Sequence, residues 1–370
     1  MSRMVLTTVG TSLIFHLVEK KANLKNHVET IEGRFSKELD DYRKEYDVLK
    51  KESLAHLKGL NLDKPTDLNK SSAEIKSLVK LEIGNNDLVY LFATETIDGK
   101  LCAEVLKDFI EKKFECEVKL EEINGLQVSN PELFKKTGVR NYIDKATQII
   151  ENHRYSHQLI LNTTGGFKAV VPYTTLLGML FQVPVFYIFE ETQSLIELPP
   201  LPLEYNFKII EELKDKFYRI DSETSIPYDE FRKGVNDEKY KQCIPLIEEE
   251  NSYVTLSAIG LAIWEKYKQD NPPPPPRSNR SPDEKDHLRE LKQEPSRSNE
   301  FEKFREKLRN HDWIDDFWYL KGCNPSDKKI EIMGNELHIY YEGIVLRVKT
   351  TAQYHKQFEI AKKKLWELLT

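Results

Sequence analysis

The sequence predicts an α/β protein: a mostly parallel sheet in its first half, a helical connector, and a small α+β region at its end. Three observations lead there. Short apolar runs alternate with helical patterns between residues 88 and 189, as in a parallel sheet covered on both faces. Five consecutive prolines, Pro272–Pro276, then interrupt the chain. Beyond them come charged helical segments, a run of short alternating strands, and a closing helix.

The first strand is RMVLTTV (3–9), ending at Gly10-Thr11-Ser12. Residues 15–82 are charged, with Leu17, Val28, Ile31, Phe35, Leu39, Tyr42, Tyr46 and Leu49 spaced at roughly helical intervals, which predicts an amphipathic arm over one sheet face. Within it, Ser71-Ser72-Ala73-Glu74 reads as a capping box that opens a helix. Further strands are expected at 88–94, 114–123, 158–162 and 183–189, with helices at 99–112, at 131–152 and after the TTGGFK turn. The stretch LPPLPLEY (198–205) closes the first domain. The expected boundaries are 1–203 for the sheet domain, 204–270 for a helical connector, 271–282 for an extended or disordered proline linker, and 283–370 for the terminal domain. In that last part, strands are expected at 316–320, 328–333, 336–341 and 343–350, with turns at Gly334-Asn335 and Glu342-Gly343 and a helix over 356–369.

Fifty-five basic against 61 acidic residues leave a net charge of -6, so an anionic partner must be held by a local patch. Cys102, Cys116, Cys243 and Cys323 are widely spaced, which points to reduced thiols rather than a disulfide framework or a zinc site. No leader peptide or membrane-length apolar run stands out, so a soluble cytoplasmic protein is expected, with no metal and no membrane partner.

Three turns fall at strand C-termini, where open parallel sheets bind ligands: Thr8–Ser12, Thr94–Gly99 and Asn162–Lys168. Glycines in the first and third let backbone N–H groups approach a ligand, and helix N-termini favour phosphate. Lys168, placed in the first turn of the next helix, opposes the helix dipole unless an anion lies there. There is no GxxxxGK and no GxGxxG, which argues against a nucleoside triphosphate or a dinucleotide.

The segments MVLTTVGTSLI and LILNTTGGFKAVVPYTTLLGML resemble the two signature segments of CARF domains, the cyclic oligoadenylate sensors of type III CRISPR systems. The resemblance covers about residues 1–200 and implies a Rossmann-like fold and a homodimer. It also implies binding of a ring of 3′,5′-linked adenylates, commonly cyclic tetra-adenylate, across the two-fold axis. The ring-contacting residues it implies are Gly10, Thr11, Ser12, Thr164, Gly165, Gly166 and Lys168, with Glu95 and Thr96 as further candidates. Some such domains also cleave their ring, and the sequence leaves that open.

Such sensors usually act on an attached effector. A HEPN ribonuclease would place Arg and His a few residues apart on a helix; Arg305 with His311 fits loosely, and Arg280 with His287 less well. A PD-(D/E)xK nuclease finds no matching strand. Residues 283–370 are instead similar to the RelE/HigB toxin superfamily, through Lys328/Lys329, Gly334-Asn335, Leu337-His338-Ile339-Tyr340 and Thr351-Ala352-Gln353-Tyr354. That resemblance implies a ribosome-dependent mRNA endonuclease, metal-independent, in which the 2′-OH of the mRNA attacks the adjacent phosphate. Arg347 and Lys349 share a strand face and are the expected phosphate ligands. His355 or Tyr354 would move protons or stack a base, and Lys328 and Lys329 would grip the RNA backbone. Residues 317–370 hold 9 basic against 6 acidic side chains, the more basic end of the chain. TLSAIGLAIWEKY (255–267) could belong to a winged helix and make the chain a ligand-controlled regulator, but the segment that would read DNA, Ile259–Tyr267, is poor in basic residues, so DNA is an unfavoured partner.

Overall fold

The computed structural model describes residues 2–126, 131–166, 168–189, 194–203, 205–272, 275–288, 299–320, 329–341, 344–352 and 355–369. The chain forms two compact units, Met1–Trp264 and Glu265–Thr370.

The first unit is built on six strands: β1 (Arg3–Thr8), β2 (Leu88–Thr94), β3 (Glu117–Ile123), β4 (Gln158–Asn162), β5 (Val185–Phe189) and β6 (Ser194–Leu198). Their order is β3-β2-β1-β4-β5-β6, with β1 to β5 parallel and β6 antiparallel on the edge. The sequence pattern marks the five parallel strands and misses β6, whose exposed Ile196 and Leu198 lack a buried run. Helices follow in the order α1 (Ser12–Lys20), α2 (Lys25–Ile31), α3 (Arg43–Lys58), α4 (Ala73–Lys80), α5 (Ile97–Phe114), α6 (Val139–His153) and α7 (Val171–Phe181).

Alternate residues of each strand feed opposite cores. Val5, Val89, Leu91 and Ile160 pack into one cluster with Leu17, Ile31, Leu49, Leu78 and Leu106, so the amphipathic arm does cover one face. Met4, Leu6, Phe92 and Leu161 pack on the other face with Ile143, Ile150, Leu177 and Leu180 of α6 and α7. Both sides of β1, β2 and β4 being buried is why their apolar runs are unbroken, while β3, toward the edge, interleaves charged residues.

The stretch after β6 is not wholly helical, as had been expected. Helices α8 (Lys208–Glu212) and α9 (Lys214–Glu223) lead to β7 (Ile226–Pro227), α10 (Tyr228–Arg232), α11 (Asp237–Cys243), β8 (Ile247–Glu250), β9 (Tyr253–Leu256) and α12 (Ala258–Asp270), and the sheet order is β7-β9-β8. This is the order of a winged helix, and its helix pair is α10–α11. The segment Ile259–Tyr267 lies instead on α12, after the hairpin. Glu248, Glu249 and Glu250 on the hairpin would repel a phosphodiester backbone.

In the second unit a helix, α13 (Asn299–Arg309), precedes β10 (Ile314–Leu320), β11 (Lys329–Met333), β12 (Glu336–Tyr341), β13 (Ile344–Thr350) and α14 (His355–Leu369). The strands form an antiparallel sheet ordered β10-β13-β12-β11. Gly334, at φ +62°, and Asn335 make the expected two-residue turn between Met333 and Glu336. Leu337, Ile339, Leu346 and Val348 face Phe301, Phe304 and Leu308 of α13 and Phe358, Ala361 and Leu365 of α14. A unit with four strands is not the wholly helical HEPN architecture.

The proline stretch was expected to be extended or disordered, and its described end is extended and tied down. The carbonyl of Pro276 accepts from Thr351 Oγ1 at 2.6 Å. The Ser278 N–H donates to the Asp312 carbonyl at 2.6 Å, and its hydroxyl donates to Asp315 at 2.7 Å.

Ser257 and Gly260, the Ser-x-x-Gly of the sequence, have separate tasks. Ser257 Oγ accepts the Gly260 N–H at 2.9 Å, while a Cβ at Gly260 would lie 1.9 Å from the Leu246 carbonyl oxygen. Gly260→Ala is therefore expected to destabilise the first unit by about 1–3 kcal/mol, read as a lower urea midpoint at unchanged slope.

Candidate functional site

Strand order reverses between β1 and β4, the place where doubly wound sheets bind ligands. The turns after these two neighbouring strands meet there. A Cβ on Gly10 would lie 2.8 Å from the Gly166 nitrogen, and one on Gly166, whose φ is +86°, would lie 2.6 Å from Thr8 Cβ. The Thr8 hydroxyl donates to the Gly165 carbonyl. These glycines are thus needed for backbone to pass backbone, whatever else they do.

Beneath the turns lies a residue that the sequence reading placed elsewhere. Ser72, not Ser71, caps α4, accepting the Ile75 N–H at 3.2 Å, so Glu74 is one position too early for a capping box and turns inward. Its side chain is 0 % exposed. Oε1 accepts the Gly10 N–H at 2.7 Å, and Oε2 has no hydrogen-bond partner among the described residues. A Cβ on Gly165 would lie 2.0 Å from Oε1. Burial pushes the Glu74 carboxyl above the usual range, against the pull of the Gly10, Ser72 and Gly166 contacts. Cys102 of α5 is also buried there, and burial, then the Glu74 and Asp98 charges, push its thiol well up.

Ser12 Oγ accepts the Ala73 N–H at 3.2 Å, joining α1 to the start of α4. Thr11 precedes α1 without a side-chain cap, and the first N–H groups of that helix have no intrahelical acceptor. Buried Asn162 donates to Ser77 Oγ at 2.7 Å and to Thr7 Oγ1 at 3.2 Å; its Oδ1 accepts from the Thr164 hydroxyl at 2.8 Å. Thr164 Oγ1 in turn accepts the Ile188 N–H at 3.1 Å. Lys168 is exposed in a short 3₁₀ turn (Lys168–Val170) before α7, not in the helix itself. In the middle turn Thr96 caps α5 through the Gly99 N–H at 3.2 Å, and Glu95 accepts the Gly125 N–H. The crevice therefore gathers Gly10, Thr11, Ser12, Thr164, Gly165 and Gly166, while Glu95 and Thr96 are bonded within their own turn and to Gly125.

Residues 69–201, which run from just before α4 past the end of β6, match the model of a family described as CRISPR-associated protein (Cas_APE2256). This stretch is similar to CRISPR-associated proteins. It carries Glu74, the TTGG turn and five of the six strands, with β1 and its turn outside it. No curated protein matches the chain.

The second unit has a polar sheet face opposite α13 and α14. Register aligns Trp318 with Arg347, Arg347 with His338, and His338 with Glu331, one row across four strands. The Arg347 guanidinium lies 5.4 Å from the Trp318 ring centroid and forms a bidentate pair with Glu336, whose Oε1 accepts at 2.6 Å. Lys349, in register with Asp316, is exposed on the same face. Lys329 pairs with Glu331 at 2.7 Å and covers the Tyr340 ring, and the Tyr340 hydroxyl donates to Glu331 at 2.8 Å. Tyr354 and Lys328 lie outside the described residues, as does the side chain of His355, the first residue of α14. Of the Arg–His pairs, Arg305 turns to Asp286 at 2.7 Å, and His311 Nδ1 accepts the Trp313 N–H at 3.2 Å. Burial pushes the His311 imidazole down.

Linkage at Glu74 has a definite sign. Its folded pKa is raised, so its stabilising share is full below the unfolded carboxyl value and is lost as pH rises through the folded one. Glu74→Gln keeps an acceptor for Gly10 and removes the buried charge. Its stability relative to wild type should therefore improve from pH 5 to pH 8, as measured by urea denaturation at both.

Proposed function

We propose that the first unit senses a cyclic oligoadenylate and that the second is a RelE-like ribonuclease which the ring activates against mRNA on the ribosome. The observation that carries this reading is the meeting of two glycine turns at the switch point of the β3-β2-β1-β4-β5-β6 sheet, in a chain whose residues 69–201 are similar to CRISPR-associated proteins. The first N–H groups of α1, the half-exposed Thr11 and Ser12, and exposed Lys168 offer donors to a phosphate there. The ring is a symmetric polyanion, and two copies of this crevice in a homodimer would grip it from both sides.

On the polar face of the second unit, Arg347 and Lys349 supply positive charge for a pentavalent phosphorane, and the aromatic ring of Trp318 lies next to Arg347. The attacking group is the 2′-OH of the mRNA itself. Glu336 orients the Arg347 guanidinium through two hydrogen bonds. Lys329, paired with Glu331, borders the same face as a contact for the RNA backbone.

Calorimetry with cyclic oligoadenylates of several sizes should give heat for one size, commonly the tetra-adenylate, and translating ribosomes plus that ring should yield cut mRNA. Gly165→Ala, which drives a methyl into Glu74, is expected to remove ring binding, whereas Arg347→Ala should keep it and slow cutting by about 10²–10³-fold. Absence of heat with every ring, or equal cutting of naked RNA without ring or ribosomes, overturns the reading.

A further inference from the structure

We propose that His287 is the base that starts RNA cleavage in the second unit, positioned by Asp316, with His338 returning the proton on the other side of Arg347. This rests on the reading of that unit as a ribonuclease and assigns the proton transfer to residues not expected from the sequence. His287 and Arg280 were candidates only for a helical nuclease, an architecture this unit lacks. The fold nevertheless brings both to one carboxylate. Asp316, whose side chain is 4 % exposed, accepts from Arg280 Nη1 at 2.6 Å and lies 2.7 Å from His287 Nε2. A buried carboxylate on Nε2 keeps the proton of neutral imidazole on that nitrogen and leaves the Nδ1 lone pair as the base.

The ring is also fixed in orientation. The backbone N–H of His287 donates to the Phe317 carbonyl at 3.1 Å, which holds the residue against β10, and the imidazole stacks on Trp318 at 5.2 Å with 8° between planes. His287, Arg280, Trp318 and Tyr319 line a cavity of about 730 Å³, large enough for a nucleotide. The acidic groups on its wall have partners: Asp283 and Asp286 face Arg309 and Arg305, and Glu284 caps Ser281.

The register supplies the second half. Arg347 lies over the same indole as His287, and His338 is its neighbour on the far side, on β12. An in-line displacement needs its base and its acid on opposite sides of the phosphate, and here Trp318, with His287 stacked on it, and His338 flank Arg347 on either side of its strand. His287 Nδ1 takes the 2′-OH proton as O2′ bonds to phosphorus. The P–O5′ bond breaks to leave a 2′,3′-cyclic phosphate, and the 5′-oxygen takes a proton from the His338 imidazolium. No other reactant is required.

The test uses the full chain with activating ring and programmed ribosomes. His287→Gln should cut at least about 100-fold more slowly with an unchanged melting temperature and lose the acidic limb of the pH–rate profile. Asp316→Asn should slow cutting and displace that limb. In parallel, adenosine 3′-monophosphate is titrated into the full chain while histidine ring resonances, assigned with His287→Gln, are followed by NMR. Movement of the His287 signals supports the assignment; unmoved signals, or a His287→Gln rate within about threefold of wild type, overturn it. A wild-type chain that cuts no RNA overturns the ribonuclease reading instead, and the titration still decides whether His287 meets a nucleotide.

Discussion

The switch point of the first unit depends on one close approach, the backbone of Gly10 against that of Gly166 over the Glu74 side chain. An isolated buried carboxylate is strongly disfavoured, and here one of its oxygens lacks a partner. It persists because the first turn donates a backbone N–H to it and the second presses on it at Gly165. The three elements hold one another: α4 brings the acid, β1 the amide, and β4 the glycine without which the acid could not fit. A ligand that engages either turn must work against, or through, this shared contact.

Much of the first unit can be read from its residues, for a physical reason. Parallel strands buried on both faces need continuous apolar runs, and LVYLFAT and QLILN coincide with β2 and β4 residue for residue. Strand β6 escapes because an exposed edge imposes no such pattern. The glycine turns were legible as a place, but not as a mechanism: Gly-Gly after a strand reads the same whether it admits a phosphate or a carboxylate. Glu74 was visible only as a local cap, since a spacing of three between Ser71 and Glu74 cannot say which serine ends up at the cap. Its role is set by a contact spanning 64 positions, Gly10 to Glu74, which no local pattern encodes.

In the second unit the alternation of apolar and polar residues gives the strands and the face on which Arg347 and Lys349 lie. What it cannot give is the order β10-β13-β12-β11, which sets Trp318 and His338 on either side of Arg347. Nor does it reveal that Asp316 collects Arg280 and His287, since these three come from either side of α13. The winged helix is legible in its last strand and following helix, while its actual helix pair, α10 and α11, is short, and the Gly234 turn between them, at φ +77°, reads like any other loop glycine.

The anchoring of Pro276 and Ser278 has a mechanical consequence. These residues do not hang as slack cord; they are stitched to the end of β13 at Thr351 and to the start of β10 at Asp312 and Asp315. Arg280, two residues on, is fastened to Asp316. A tug on the chain at the prolines is thus delivered within a few residues to the carboxylate that steadies His287, which makes that short stretch a pull-cord rather than a leash.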